Sequence, residues 1–205
     1  MTNVRLAAAI LAGGRGERLG GTNKALLEIG GRTMLERVIA AVSEASPILV
    51  CTGPNRLPED ARTRTIADLP ADYAGPLAGV AAAVAALAGK KPDLLLTVAV
   101  DTPFFPEDFA GRAISKLAED TDVVVAAFSG QDYPTNALWR FEALASLPQH
   151  LADGSAPHSL RRLIAARRSA TLDYAALGAE NPFANANSPE DLAALQTAAS
   201  TGKPG

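Results

Sequence analysis

Three side chains in this sequence stand where an anionic ligand could use them: Lys24, Asp68 and Asp101. Lys24 closes the stretch LAGGRGERLGGTNK, which also carries Arg15 and Arg18. Leu11 to Gly31 holds seven glycines. Short connections are the rule in compact domains, so a glycine-rich one of this length points to something seated on it. Glycines between a strand and a helix let backbone N–H groups approach anionic oxygens without a Cβ in the way. A triphosphate cradle with Arg15, Arg18 and Lys24 as cations is one reading; a solvated surface loop is the other. Two familiar phosphate signatures fail here. Gly14-x-Gly16-x-x ends on Leu19, and Gly16-x-x-x-x-Gly21 is followed by Thr22, with Lys24 arriving three residues late.

Asp101 stands in LLLTVAVDTPF, at the exit of an apolar strand and before a chain-reversing proline. Magnesium takes one or two carboxylates and completes its shell with phosphate oxygens and water, a role Asp101 fits; the alternative is a cap on the Thr102-Pro103 turn. Asp68 stands in ADLPADYAGPLAGV, ahead of Gly75-Pro76 and a helix start built of small residues. A carboxylate there could accept from the N1–H and amino group of guanine, while tight helix–sheet packing would also explain the small residues.

The elements that must hold these groups alternate. Val4 to Ala12 is a continuous apolar run, expected as a strand buried on both faces of a parallel sheet rather than as a secretion signal. Thr33 with Glu36 forms a capping-box pattern ahead of a helix that Pro47 stops. Strands are expected at 48–51, 63–68, 93–100 and 122–128. Helices are expected at 76–89, where proline opens and glycine closes, at 106–119, from about Phe141, at 158–168, and after the Ser188 cap. This alternation predicts an α/β fold, Rossmann-like and three-layered, with a mostly parallel central sheet and its ligands at the carboxyl ends of the strands. Residues 1–197 read as a single domain and 198–205 as a disordered tail.

The 205 residues are 48% hydrophobic and 20% charged, with a formal net charge of −3 and a pI near 5.4. That balance argues against a general nucleic-acid or membrane-surface binder. One cysteine, Cys51, excludes an internal disulfide and suits a reducing cytoplasm. Cys51 with only His150 and His158 cannot build a zinc site of the usual spacing. Trp139 reads as packing beside the sheet, with stacking on a flat ligand as the alternative.

The motifs LAGG, R-L-G-G-x-N-K-A-L-L-x-x-G-G, GPLAG, VDTPF, DYPT and N-A-N-S-P-E-D-L, in this order, resemble those of the molybdenum cofactor guanylyltransferases, the MobA family. The resemblance runs from Leu6 to about Leu195 and implies a nucleotidyltransferase fold. It implies transfer of GMP from GTP to the phosphate of molybdopterin, giving the guanine dinucleotide and pyrophosphate, with Mg2+ on Asp101. It places Leu11, Ala12, Gly13 and Gly14 in the GTP cradle, and Lys24, with Arg18, on the phosphates as catalytic cations. Asp68, Gly75 and Asp101 become nucleotide contacts, and Asn185 and Asn187 an N-x-N motif near the molybdenum-cofactor end. The further implications are a monomer in the cytoplasm, no nucleic-acid or membrane partner, and transient contact with molybdoenzyme maturation proteins. Three positions depart from the pattern: Asn23 replaces an aspartate, Tyr133 replaces a histidine, and the asparagine after the second strand has only Asn55 as its nearest match. Two rival readings are another nucleotidyltransferase, cytidylyl or sugar-phosphate, and a non-catalytic nucleotide-binding protein.

Overall fold

The computed structural model describes residues 4–13, 23–53, 57, 61–70, 75–178 and 180–201. Its strands are β1 (Leu6–Leu11), β2 (Glu28–Ile29), β3 (Arg32–Thr33), β4 (Ile48–Cys51), β5 (Thr63–Ile66), β6 (Leu94–Ala99), β7 (Val123–Phe128), β8 (Gln131–Arg140) and β9 (Ser169–Asp173). Seven of them form the central sheet, in the order β5-β4-β1-β6-β8-β7-β9. β8 runs antiparallel to both neighbours, and the remaining pairings are parallel. β2 and β3 form a separate hairpin. The helices are α1 (Met34–Ala41), α2 (Pro76–Leu87), α3 (Phe109–Lys116), α4 (Leu147–Ala152), α5 (Leu160–Ala165) and α6 (Pro189–Ser200).

The period-2 alternation of β1 decides the layering. Ala8 and Ile10 pack with Val38 and Ile39 of α1 and Phe109 of α3 on one face. Ala7, Ala9 and Leu11 pack with Val80, Ala81 and Val84 of α2 on the other. A strand covered on both faces is apolar almost throughout, which is why LAAAIL and LLLTVA read as near-continuous runs. Thr97, the polar residue of β6, is fully buried; its hydroxyl donates to the Ala137 carbonyl and accepts from the Trp139 indole N–H. The expected three-layer, mostly parallel architecture is what the chain adopts.

Several expected bounds move. The helix expected at 106–119 is confined to Phe109–Lys116. The expected strand 63–68 ends at Ile66, leaving Asp68 beyond its edge. The helix expected from Phe141 is a single 3-10 turn, Phe141–Leu144, at the end of β8. Helix α5 covers Leu160–Ala165 of the expected 158–168, and β9 follows. Helix α6 continues through Ser200, past the expected start of a tail. None of the helices among the described residues is long and apolar enough to cross a membrane.

Helix α6 sits where it does because of the hairpin. Ile29 of β2, Met34, Ala186 and Leu195 of α6 make a small core of their own. Gly30, at φ +57°, makes the hairpin turn in a conformation that side-chain-bearing residues rarely adopt, and a Cβ there would meet Arg37 and Ala199.

Candidate active site

Lys24 opens a 3-10 turn, Lys24–Leu26, capped by Asn23, whose side-chain oxygen accepts from the Ala25 N–H at 3.1 Å. Asparagine performs the cap an aspartate would, so the departure at this position leaves the local geometry intact. The turn aims Lys24 across the mouth of the sheet. Its Nζ donates to Asp101 Oδ2 at 2.9 Å and to Asn187 Oδ1 at 2.6 Å. The Lys24 and Asp101 side chains are 15% and 19% exposed, a mostly buried pair.

Asp101 is fixed by the turn that leaves β6. Thr102 Oγ1 donates to the Ala99 carbonyl at 2.6 Å, and the Ala186 N–H donates to the Asp101 carbonyl at 3.2 Å. Asn187 is fixed from the other side by the capping box of α6. The Asn187 and Ser188 N–H groups both donate to Asp191 Oδ2, while Ser188 Oγ accepts from the Asp191 N–H. The motif S-P-E-D thus fixes the backbone of the residue that grips Lys24.

Asp68 occupies the opposite wall. Its carboxylate accepts from the Gly53 N–H, yet its Oδ1 is buried without a hydrogen-bond partner. Burial pushes its pKa up, with the Gly53 bond opposing. Glycines make room for it: a Cβ on Gly13 would lie 2.6 Å from Asp68 Oδ2, and one on Gly79 would lie 3.3 Å from Oδ1. A buried carboxylate oxygen left unpaired costs free energy, so the arrangement makes sense as half of a contact completed by a ligand. Cys51 lies behind it, buried, its Sγ donating to the Gly79 carbonyl at 3.3 Å. Burial foremost, and then the Asp68 charge, push that thiol far up, so it is inert.

These groups face one cavity of about 710 Å³, lined by Gly13, Lys24, Asp68, Gly75, Asp101 and Asn185 among others. The structure therefore brings Lys24, Asp68, Gly75, Asp101 and Asn185 together, with Leu11 and Gly13 in the wall. Ala12 differs: it is buried, and its N–H donates to the Cys51 carbonyl at 2.7 Å, so it has no amide left for a phosphate. Gly14, Arg18 and Asn55 lie outside the described residues. The side chain of Asn187, expected at the acceptor end, is engaged by Lys24. Trp139 is fully buried and donates to Thr97 Oγ1 at 3.2 Å, so stacking on a ligand is excluded. Tyr133, the other departure, accepts from Asn181 Nδ2 at 2.8 Å and packs on Phe183, a framework role.

Sequence reasoning missed Asn136. It is fully buried, its Oδ1 accepts from the Ala99 N–H at 2.9 Å, and its Nδ2 has no partner. The register of β7 on β8 shifts between Val125 and Ala126, and Ala99 lies beyond the last β6–β8 pair, Thr97↔Ala137. The side chain of Asn136 takes over there as backbone partner, at the strand end that carries Asp101. The available signal was a polar residue inside the apolar run NALW.

Among the described residues no three His, Cys, Asp or Glu side chains gather as a metal-holding group. A magnesium ion that arrives on a triphosphate needs only one or two protein carboxylates, and Asp101 in the cavity wall supplies one.

A parallel sheet with an acidic and basic cavity at its strand ends is the architecture of nucleotide-handling α/β enzymes. Solved structures agree at the level of fold. Molybdopterin-guanine dinucleotide biosynthesis protein A from Archaeoglobus fulgidus matches with a TM-score of 0.72 at 20% identity, covering 95% of this chain and 99% of that one. The 2-C-methyl-D-erythritol 4-phosphate cytidylyltransferase of Thermus thermophilus matches with a TM-score of 0.70 at 20% identity, covering 95% and 98%. Sequence relatives go further. Proteins named molybdenum cofactor guanylyltransferase are 33% identical in Bradyrhizobium sp. (strain ORS 278), over 94% of this chain and 92% of theirs, and 37% identical in Acidiphilium cryptum (strain JF-5), over 93% and 94%. Residues 8–171 match the model of the MobA-like NTP transferase domain. The chain is a nucleotidyltransferase. It belongs to the MobA-like family of NTP transferases.

Proposed function

We propose that this chain transfers the GMP unit of GTP to the terminal phosphate of molybdopterin, releasing pyrophosphate. The observation that carries the choice of guanine is Asp68, whose buried Oδ1 has no partner at the cavity wall. Guanine presents two adjacent donors, N1–H and the amino group, to such an acceptor; cytosine and adenine lack the N1–H. The names of the sequence relatives support the same acceptor and base.

In the transfer, an oxygen of the acceptor phosphate bonds to the α-phosphorus while the bond from that phosphorus to the bridging oxygen of the β-phosphate breaks. The electron pair leaves on pyrophosphate. The attacking phosphate is ionised at neutral pH, so no general base is needed, and among the described residues no histidine lines the cavity. Magnesium, when bound on Asp101 with the triphosphate, neutralises charge at the reacting phosphate. Lys24 Nζ, steadied by Asn187, faces the charge that grows on the leaving pyrophosphate. Arg18 joins it in this reading. The reaction runs in the cytoplasm, in a monomer, with its product passed on by transient contact with molybdoenzyme maturation proteins.

The test is pyrophosphate release with molybdopterin and each of GTP, CTP and ATP. GTP should dominate, and Asp68→Ala should erode its advantage by roughly 5- to 150-fold, the worth of about 1–3 kcal/mol of lost pairing. Equal rates with CTP would overturn the guanine assignment. Binding without release for every nucleotide would return the protein to the non-catalytic reading.

A further inference from the structure

Strand β8 loses its partners for three residues as it passes the site. Val125 pairs with Ala137 and Ala126 with Tyr133, so Pro134, Thr135 and Asn136 have no partner on β7, and the β6–β8 pairing stops at Thr97↔Ala137. Pro134 has no N–H to give to a ladder, and bulges of this kind re-aim side chains beside active sites. This one leaves the Ala99 N–H without a strand partner, two residues before Asp101. Asn136, fully buried, meets the need: its Oδ1 accepts from that N–H at 2.9 Å. We infer that Asn136 is a positioning residue for the transfer, its amide fixing the Ala99 peptide and through it the turn that presents Asp101. The inference rests on the reading of Asp101 as the carboxylate that meets the metal-bound triphosphate.

Ala99 is the pivot of that turn. Its carbonyl accepts from the Thr102 N–H at 3.2 Å and from Thr102 Oγ1 at 2.6 Å. Asn136 holds the other side of the same residue, and between them the Val100 N–H donates to the Leu11 carbonyl at 3.1 Å. The bulge also shapes the cavity. Ala99, Val100, Asp101 and Thr135 all line it, whereas a continued β6–β8 register would pair Thr135 with Ala99 and close the wall at that point. The amide is a poor choice for stability alone. Its Nδ2 is buried with no partner among the described residues, and burying an unpaired donor offsets what the Oδ1 bond gains. Such a residue makes sense where its geometry is used, because reacting constellations must be held within about 0.5 Å of the productive arrangement.

Asn136→Leu in the full chain keeps the branched shape and removes the acceptor. Per folded molecule, it should lower kcat for pyrophosphate release from GTP with molybdopterin by ~10- to 100-fold, as ångström-scale misplacement does. The magnesium concentration for half-maximal rate should rise. Binding of Mn2+ to the GTP-loaded chain, followed by electron paramagnetic resonance, should weaken in parallel. The Kd for GTP without metal, read by calorimetry, should stay at the value of the unaltered chain, since Asp68 stands on the opposite wall. Unchanged kcat and unchanged Mn2+ binding in Asn136→Leu overturn the inference and make the amide purely structural. A metal-free loss of GTP affinity as large as the loss of rate also overturns it, because the residue would then shape the cavity as a whole. Should Asn136→Leu not fold, Asn136→Ser, too short to reach Ala99, is measured in the same way. Failure of the unaltered chain to release pyrophosphate overturns the transfer reading instead, and Mn2+ binding still decides on Asn136.

Discussion

At the scale of single residues, the site is held in a state that favours binding over rest. Burial raises the folded-state pKa of Asp68 above 3.8, so the folded chain keeps that proton more tightly than the unfolded chain does. Stability of the unliganded protein therefore falls as pH rises from about 3.8 through the folded value, and it stays reduced above it. Asp68→Asn removes that penalty: it should melt higher than the unaltered chain at about pH 7 while binding GTP roughly 5- to 150-fold more weakly. A variant that melts lower and binds GTP as before would make Asp68 a structural cap. Asp101→Asn should abolish magnesium-dependent turnover with the fold retained, since the amide keeps the size and still accepts from Lys24; retained turnover would move the metal to another carboxylate. The residue types at these positions were legible in the sequence. Their contact was not, because Lys24 and Asp101 lie 77 positions apart and Lys24 and Asn187 lie 163 apart. Ala12 shows the same limit: the motif singles it out, but the neighbouring strand takes its amide.

At the scale of elements, periodicity read the buried strands well because both faces of β1 and β6 are covered, so that Thr97 alone interrupts their apolar runs. It failed where the pattern is short or mixed. Strand β8 begins with the polar QDYPT and carries a register shift, and β9 alternates over only five residues. The β2–β3 hairpin has two residues per strand, and only packing against α6 gives it a core. The α6 capping box was legible, and its consequence is functional. Ser188→Ala should cost about 1 kcal/mol of stability and should also lower the maximal rate, because Asn187 and the cap share Asp191. Loss of stability with an undiminished rate per folded molecule would separate the cap from the site.

At the scale of the whole molecule, ligand binding and folding are linked. The nucleotide cavity draws on the ends of β1, β4 and β6 and on the start of α2, so a ligand there ties separate parts of the sheet to each other. GTP with magnesium at about 100 times its Kd should stabilise the native state by about 2.7 kcal/mol, a rise in melting temperature of roughly 5–10 °C for a chain of this size. Asp68→Asn should blunt that rise at the same concentration, although its unliganded form melts higher. Equal rises in the two proteins would detach Asp68 from the nucleotide.

The grip of Asn187 on Lys24 also has a meaning for synthesis. The order of the chain is an order in time, and domains fold from the N-terminus as they leave the ribosome. The last strand of the sheet is complete at Asp173, before Asn187 exists. A nascent chain can thus complete its sheet while Lys24 still lacks its second partner and α6 has yet to close on the hairpin. Products of premature termination after Asp173 would hold the described strands of the sheet, yet they would lack both the second partner of Lys24 and Phe183, which is fully buried in the main core.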